Sequence, residues 1–215
     1  MKDKMNGVSK TMNETKLTAA KLVGGASERK RADNDYYATP FYATKAILNE
    51  IPLCNDTILE PAAGEGHIVK ILKEYYPYNE IIANDLVWRN SRFSLNGIDI
   101  TGGVDFLTYS PDRKYDTIIT NPPFKYAQQF VEKALSIANH YVIMFMKIQF
   151  LETVERQKLF QEYPPKYVYV FSHRVPAWMN GNETDEKGKP WASTVCYAWF
   201  VWEKGWYEEP VIRWL

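Results

Sequence analysis

The feature that most constrains this chain is an alternation that begins at residue 56. Short apolar runs suited to buried strands, at 57–60, 80–84, 97–100, 115–120 and 140–146, are interleaved with helix-like stretches at 64–76, 126–138 and 152–163. Parallel strands need crossover connections, so this pattern predicts a mostly parallel sheet with helices on both faces. The last two strand-like runs, 167–172 and 194–202, have no helix between them and read as an antiparallel hairpin. An α/β domain with a seven-stranded sheet and a C-terminal antiparallel strand is therefore expected. Ligands of such sheets bind beyond the carboxyl ends of the strands, and the residues that follow each strand carry the functional information.

After the first strand the chain reads Ile58-Leu59-Glu60-Pro61-Ala62-Ala63-Gly64-Glu65-Gly66-His67-Ile68. Gly64 and Gly66 permit a sharp turn and a close backbone approach to a ligand, and the helix that follows favours an anion at its N-terminus. The GxGxxG spacing of dinucleotide sites is absent, because His67, Ile68 and Val69 follow Gly66. The second strand ends at Asp85, where an acid can accept hydrogen bonds from ribose hydroxyls; a solvated strand end is the plainer alternative. Asp105 and Phe106 follow the third strand and suit an adenine, the carboxylate taking its amine and the ring packing nearby. Before the glycine turn, Asn34-Asp35-Tyr36-Tyr37-Ala38-Thr39-Pro40 leads into a helix at 41–50 that Pro40 suits as a first-turn residue and Thr39 suits as a cap.

Asn121-Pro122-Pro123-Phe124 follows the strand at 115–120. An exocyclic amine has its lone pair delocalised into the ring, so a site that alkylates it must accept the amino hydrogens and draw the nitrogen toward a tetrahedral geometry. The Asn121 side-chain oxygen and the Pro122 carbonyl supply two acceptors, and Phe124 supplies a face for the base. Pro122 and Pro123 fix φ and keep the acceptors aimed. The same four residues also make an ordinary tight turn.

In this order, the pieces resemble phage and prophage adenine-specific (N6) DNA methyltransferases, within the class I S-adenosylmethionine-dependent amino-methyltransferases. The resemblance runs from about Asn34 to the C-terminus and includes the segments 147–152, 164–172 and 197–202. It implies the Rossmann-like class I fold, S-adenosylmethionine as cofactor, DNA as partner and no metal. Tyr37, Thr39 and Pro40 would then close over the methionine end of the cofactor. Glu60, Pro61, Ala62, Gly64 and Gly66 would form its turn, Asp85 would hold the ribose, and Asp105 and Phe106 the adenine. Asn121, Pro122, Pro123 and Phe124 would be catalytic, with Asn121 also bordering the cofactor and Phe124 stacking on a flipped base. Methylation of adenine N6 in RNA, of cytosine N4 or of a glutamine side chain presents a similar planar amine. A non-catalytic DNA-binding relative is the alternative of a different class.

Composition narrows the field less. The 26 basic and 26 acidic side chains cancel, so any phosphate contact must come from a local patch. Eight of the basic residues and only four acids fall in residues 1–33, whose composition predicts a flexible basic tail ahead of a methyltransferase domain at 34–215. Cys54 and Cys196 lie in apolar contexts that suggest buried thiols, and the three histidines show no zinc-type spacing. No apolar run reaches membrane-spanning length, so a cytoplasmic protein of a bacterial or phage-infected cell, with no membrane partner, is expected. The loop at 173–193 is long for a compact domain, and its Arg174, Trp178, Lys187 and Lys189 make it the candidate for target recognition. Trp199, Trp202, Trp206 and Trp214 are expected in the core and its rim.

Overall fold

The computed structural model describes residues 36–53, 56–91 and 93–215, all within the unit Ala32–Leu215. The expected tail at 1–33, the Asn34-Asp35 start of the lid motif and Cys54 lie outside the described residues. Along the described chain the elements are β1 (Tyr37–Ala38), α1 (Phe41–Glu50), β2 (Ile58–Glu60), α2 (His67–Tyr75), β3 (Ile81–Asp85), β4 (Ile100–Gly102) and β5 (Tyr115–Thr120). They continue with α3 (Ala127–Ile137), β6 (Ala138–Lys147), α4 (Val154–Glu162), β7 (Tyr167–Val170), β8 (Trp178–Met179), β9 (Tyr197–Glu203) and β10 (Val211–Trp214).

The main sheet runs in the order β10-β7-β9-β6-β5-β2-β3-β4. β4, β3, β2, β5 and β6 are mutually parallel, and β9 enters between β6 and β7 antiparallel to both. The expected hairpin of the last two runs is thus present, but the sheet has eight strands rather than seven. The eighth is β10, which skips past β7 to pair parallel to it on the outer edge. Its four residues are all exposed, so it carries no alternation of buried and exposed positions by which the sequence would announce a strand. Trp214, expected in the core or its rim, stands on this edge 71% exposed.

Alternate residues of the central strands enter opposite cores. Ile143, Phe145, Trp199 and Val201 face the side covered by α1 and α2. Val142, Met144, Phe200 and Trp202 face the side covered by α3. A strand buried on both faces reads as a continuous apolar run, which is why 142–146 and 197–202 are apolar without a polar alternate. Two indoles tie helical layers to the sheet: Trp199 Nε1 donates to the Ala43 carbonyl of α1 at 2.9 Å, and Trp202 Nε1 donates to the Tyr163 carbonyl beyond α4 at 2.9 Å. The first of these seats the helix that carries the lid motif.

Local chemistry shifts some boundaries. Gly64 and Gly66 adopt φ of +58° and +89°, so α2 starts at His67 and not at the turn. Thr39 does not cap α1: Pro40 takes the cap position with no side-chain hydrogen bond, and the buried Thr39 hydroxyl has no protein partner. Cys196 is half-buried, with Arg174 Nη1 at 2.7 Å from its sulfur, and is no core thiol.

The least comfortable backbone position is Thr153, which caps α4 at φ +95° and ψ 149°, a region open to glycine and hostile to a β-branched residue. Its hydroxyl accepts the Arg156 N–H at 3.4 Å and donates to the exposed Glu155 carboxylate. Thr153→Gly should raise stability by about 1 kcal/mol net of the added backbone freedom. Chemical denaturation would read this directly, and a destabilised variant would show the conformation to be unstrained.

Candidate active site

The sheet changes direction between β2 and β5: the chain builds outward from β2 to β3 and β4, then returns to β5 on the other side of β2. A crevice opens at the carboxyl ends on either side of such a switch, because the connections diverge there. Glu60 ends β2, Asp85 ends β3 and Asn121 follows β5. Three of the motif residues therefore meet at one end of the sheet.

Asp85 organises the glycine turn. Its Oδ2 accepts the Gly64 N–H at 2.7 Å, while Oδ1 accepts the Val87 N–H at 2.8 Å and a guanidinium N–H of Arg89 at 2.9 Å. A carboxylate offers about four acceptor positions, so capacity for a further donor remains. Arg89 also lies over the Tyr36 ring, 4.5 Å from its centroid. That ring rests on Gly64 so closely that a β-carbon there would overlap it, and the Tyr36 hydroxyl accepts the Glu65 N–H at 3.2 Å. The lid motif thus closes directly onto the glycine turn.

Glu60 is 2% exposed, and its Oε2 has no partner among the described residues. Burial pushes its carboxyl well above the ordinary carboxylate range, the nearby Asp85 charge adds to the shift, and the Val69 N–H opposes it. An orphaned acceptor at 98% burial and the orphaned Thr39 hydroxyl are the kinds of polar atom that a bound zwitterion would satisfy.

The catalytic motif is oriented by the lid. Asn121 Nδ2 donates to the Tyr37 carbonyl at 2.7 Å. A carbonyl oxygen can only accept, so the atom facing it must be the nitrogen, and the side-chain oxygen is the end left to act as acceptor. Pro122 is buried and Pro123 leads a 3-10 turn at Phe124–Tyr126. The Phe124 ring lies 6.0 Å from that of Tyr37 and 5.9 Å from that of Tyr197, with Lys147 Nζ 4.3 Å over its centroid. Tyr197 stacks in turn on Phe145 of the core at 5.0 Å.

Other expected site residues are placed differently. Phe106 is 3% exposed and packs on Phe130 of α3 with centroids 5.0 Å apart, so its ring is part of the core. Asp105 accepts the Leu107 N–H at 3.0 Å, and the neighbouring Val104 N–H, bonded to the Asp85 carbonyl at 3.0 Å, links this turn to the crevice. Pro61 and Ala62 form the turn leaving β2, with Pro61 buried. Trp178 is no exposed stacking surface: it is buried in β8, edge-on to Phe41 and His67 at 5.6 and 5.8 Å. Arg174 is exposed, yet one of its nitrogens is committed to the Thr194 carbonyl at 3.1 Å. Arg89, Lys147 and Tyr197 are crevice residues to which the sequence assigned no role, although Lys147 and Tyr197 open segments of the resemblance, and Tyr36 was read only as part of the lid motif.

Among the described residues no group of three or more His, Cys, Asp or Glu is placed to hold a metal ion, and no helix is long and apolar enough to cross a membrane. No protein-family model matches the chain. Over 100 residues it is 30% identical to Type II methyltransferase M.CvrRI of Paramecium bursaria Chlorella virus XZ-6E, a stretch that is 46% of this chain and 26% of that protein. The chain thus spans about a quarter of that relative's length. Among solved structures it is similar to the type I restriction-modification system methyltransferase subunit from Streptococcus thermophilus, with a TM-score of 0.60 at 10% identity over 86% of this chain and 48% of that one. It is also similar to a proposed class I S-adenosylmethionine-dependent methyltransferase of Listeria monocytogenes, with a TM-score of 0.54 at 13% identity over 83% of this chain and 65% of that one. At these identities the structural likeness is one of fold, and the chain has the fold of the class I S-adenosylmethionine-dependent methyltransferases.

Proposed function

We propose that this chain is an S-adenosylmethionine-dependent methyltransferase acting on the N6 amine of adenine in DNA. The observation that carries the reading is the Asn121 carboxamide, whose nitrogen is tied to the Tyr37 carbonyl and whose oxygen is thereby left as an acceptor beside the Phe124 ring. The 30% identity to a viral type II methyltransferase supports methyl transfer, and the likeness to a restriction-modification subunit supports DNA as the substrate. Phe124 and the lid motif favour a nucleobase over a glutamine side chain.

S-adenosylmethionine, when bound, supplies a methyl carbon already activated on a sulfonium, so the protein needs no covalent nucleophile. Glu60 and the Thr39 hydroxyl provide an acceptor and a donor for the ammonium and carboxylate of its methionine end. Asp85 would use its remaining acceptor capacity on the ribose, and Asp105 would take the adenine amine, with Phe106 in the apolar layer behind that turn. The Asn121 oxygen and the Pro122 carbonyl accept the two amino hydrogens of the target and draw its lone pair out of the ring. The cofactor would supply the methyl carbon and its sulfur would retain the bonding pair, while the Asn121 oxygen and the Pro122 carbonyl would hold the amino hydrogens until one passes to solvent. Phe124 stacks on the extruded base with Tyr37 and Tyr197 as its neighbours.

Four measurements bear on this reading. Asn121→Ala should lower the rate of methyl transfer by roughly a hundredfold or more with cofactor affinity held within a few-fold, since the lost acceptor acts on the target amine. Sequencing that detects modified bases in DNA from expressing cells would separate N6-methyladenine from N4-methylcytosine, and finding neither would remove DNA as the substrate.

The Glu60 carboxyl has its pKa raised in the folded state, so its contribution to stability is present in full below the unfolded value of about 4 and is lost as pH rises toward the folded value. Glu60→Gln cannot ionise. Its melting temperature should therefore gain on that of the parent as pH rises from 4 to 8, and parallel curves would show that Glu60 is not held neutral.

Residues 1–33 hold eight of the 26 basic side chains, and the tail is proposed to track phosphates. Deleting it should weaken DNA binding across all sequences and lower the slope of log affinity against log salt by roughly one unit for each phosphate that is no longer neutralised. A slope that does not move would make the tail a bystander.

A further inference from the structure

We infer that Trp178 is a positioning residue for the Asn121 carboxamide, acting through the two-residue ribbon of β1 and β8; the inference rests on the reading of Asn121 as the acceptor of the target amine. Among the described residues β1 pairs with β8 alone, Tyr37 opposite Met179 and Ala38 opposite Trp178, and the Asn180 N–H extends the ribbon to the Tyr36 carbonyl at 3.1 Å. Two residues of pairing cannot hold themselves in water, so side-chain burial must fix where this ribbon lies. Trp178 supplies that burial. Its ring is 9% exposed and meets Phe41 of α1 and His67 of α2 edge-on, and those two rings stack on each other at 5.5 Å. The ribbon is thereby pinned to the two helices that flank the crevice.

The ribbon in turn holds the catalytic motif. The Tyr37 carbonyl takes the Asn121 Nδ2 hydrogen at 2.7 Å, and the Tyr37 ring lies against Phe124. Release of β1 frees the carboxamide to turn over about its terminal bond. An inverted carboxamide presents N–H groups to an amine that itself needs acceptors, and the transfer geometry is lost. The loop at 173–193 consequently acts on the reaction through the lid strand and not by touching the base. Its charge agrees with that role: Arg174, Lys187 and Lys189 are balanced by Glu183, Asp185 and Glu186, which gives a polyanion no net attraction.

A carboxylate at position 121 has two equivalent oxygens and cannot be inverted, which allows a double-mutant cycle. Trp178→Ala in the parent chain should lower kcat about tenfold or more while leaving KM for DNA and the cofactor Kd within a few-fold. Trp178→Phe, which keeps a ring edge against Phe41 and His67, should recover most of that loss. In an Asn121→Asp background, Trp178→Ala should cost under about threefold. The same fold loss in both backgrounds would overturn the inference, because Trp178 would then act by some route other than carboxamide orientation.

A second readout does not need turnover. In protein labelled with 15N-asparagine, the Asn121 side-chain amide hydrogens should be protected from exchange in the parent chain and in Trp178→Phe and unprotected in Trp178→Ala. An Asn121 amide signal that Trp178→Ala leaves unchanged refutes the relay even if Asn121→Asp proves inactive. Failure of the parent chain to methylate any nucleic acid refutes the methyltransferase reading, and the exchange measurement still decides the relay.

Discussion

The crevice depends on one buried carboxylate. Asp85 joins the ends of β2 and β3 by taking the Gly64 N–H on one oxygen and the Val87 N–H and Arg89 on the other. Hydrogen bonds to an ionised acceptor are the strong ones, and these three fix the turn, the strand end and a guanidinium in one stroke. From Arg89 the order passes to Tyr36 by stacking, and from Tyr36 back to the turn through Gly64 and the Glu65 N–H. The loop is closed, so no member of it can move alone.

Glu60 sits near the same carboxylate with the opposite provision. One acid takes three donors and the other has an oxygen buried without any among the described residues. A second full negative charge so close to Asp85 and so far from water is costly, and protonation of Glu60 relieves both burdens. Glycine is required at 64 on two counts, a φ of +58° and the aromatic ring pressed on its α-carbon. The apolar layer below is equally committed: Trp199 fills the core and donates to the Ala43 carbonyl, so the helix that follows the lid strand is registered to the sheet through a side chain 156 residues later.

The lid and the catalytic turn are one unit because of the strand that comes back from 173–193. A segment that reads as an exposed loop, rich in Gly, Asn and charge, sends Trp178 inward and pairs its backbone with the lid. Its remaining charges balance within the segment, and Arg174 spends a nitrogen on its own loop. The surplus of positive charge lies instead in residues 1–33, so the chain separates what orders the crevice from what is proposed to meet phosphates.

Local sequence determined the parts whose cause is local. Apolar runs at 115–120, 140–146 and 197–202, the helices at 41–50 and 126–138, and the parallel-to-antiparallel change at the end of the sheet all follow from periodicity and connection length. The glycine turn, Asp85 and Asn121-Pro122-Pro123-Phe124 were legible because each falls at a strand end, where the chain must turn and leaves polar groups free. Only the tertiary structure decided what those groups face. Nothing near Asp85 says that Gly64 will be its donor, nothing near Asn121 names the Tyr37 carbonyl 84 residues earlier, and nothing at Phe106 distinguishes a core ring from one beside a ligand. The eighth strand and the burial of Trp178 escaped for the same reason: β10 and β8 are four and two residues long, too short to show a period, and their places are set by partners distant in the chain. Periodicity records which side of an element meets the core, whereas a hydrogen bond between distant residues leaves no trace in either neighbourhood until the fold has brought them together.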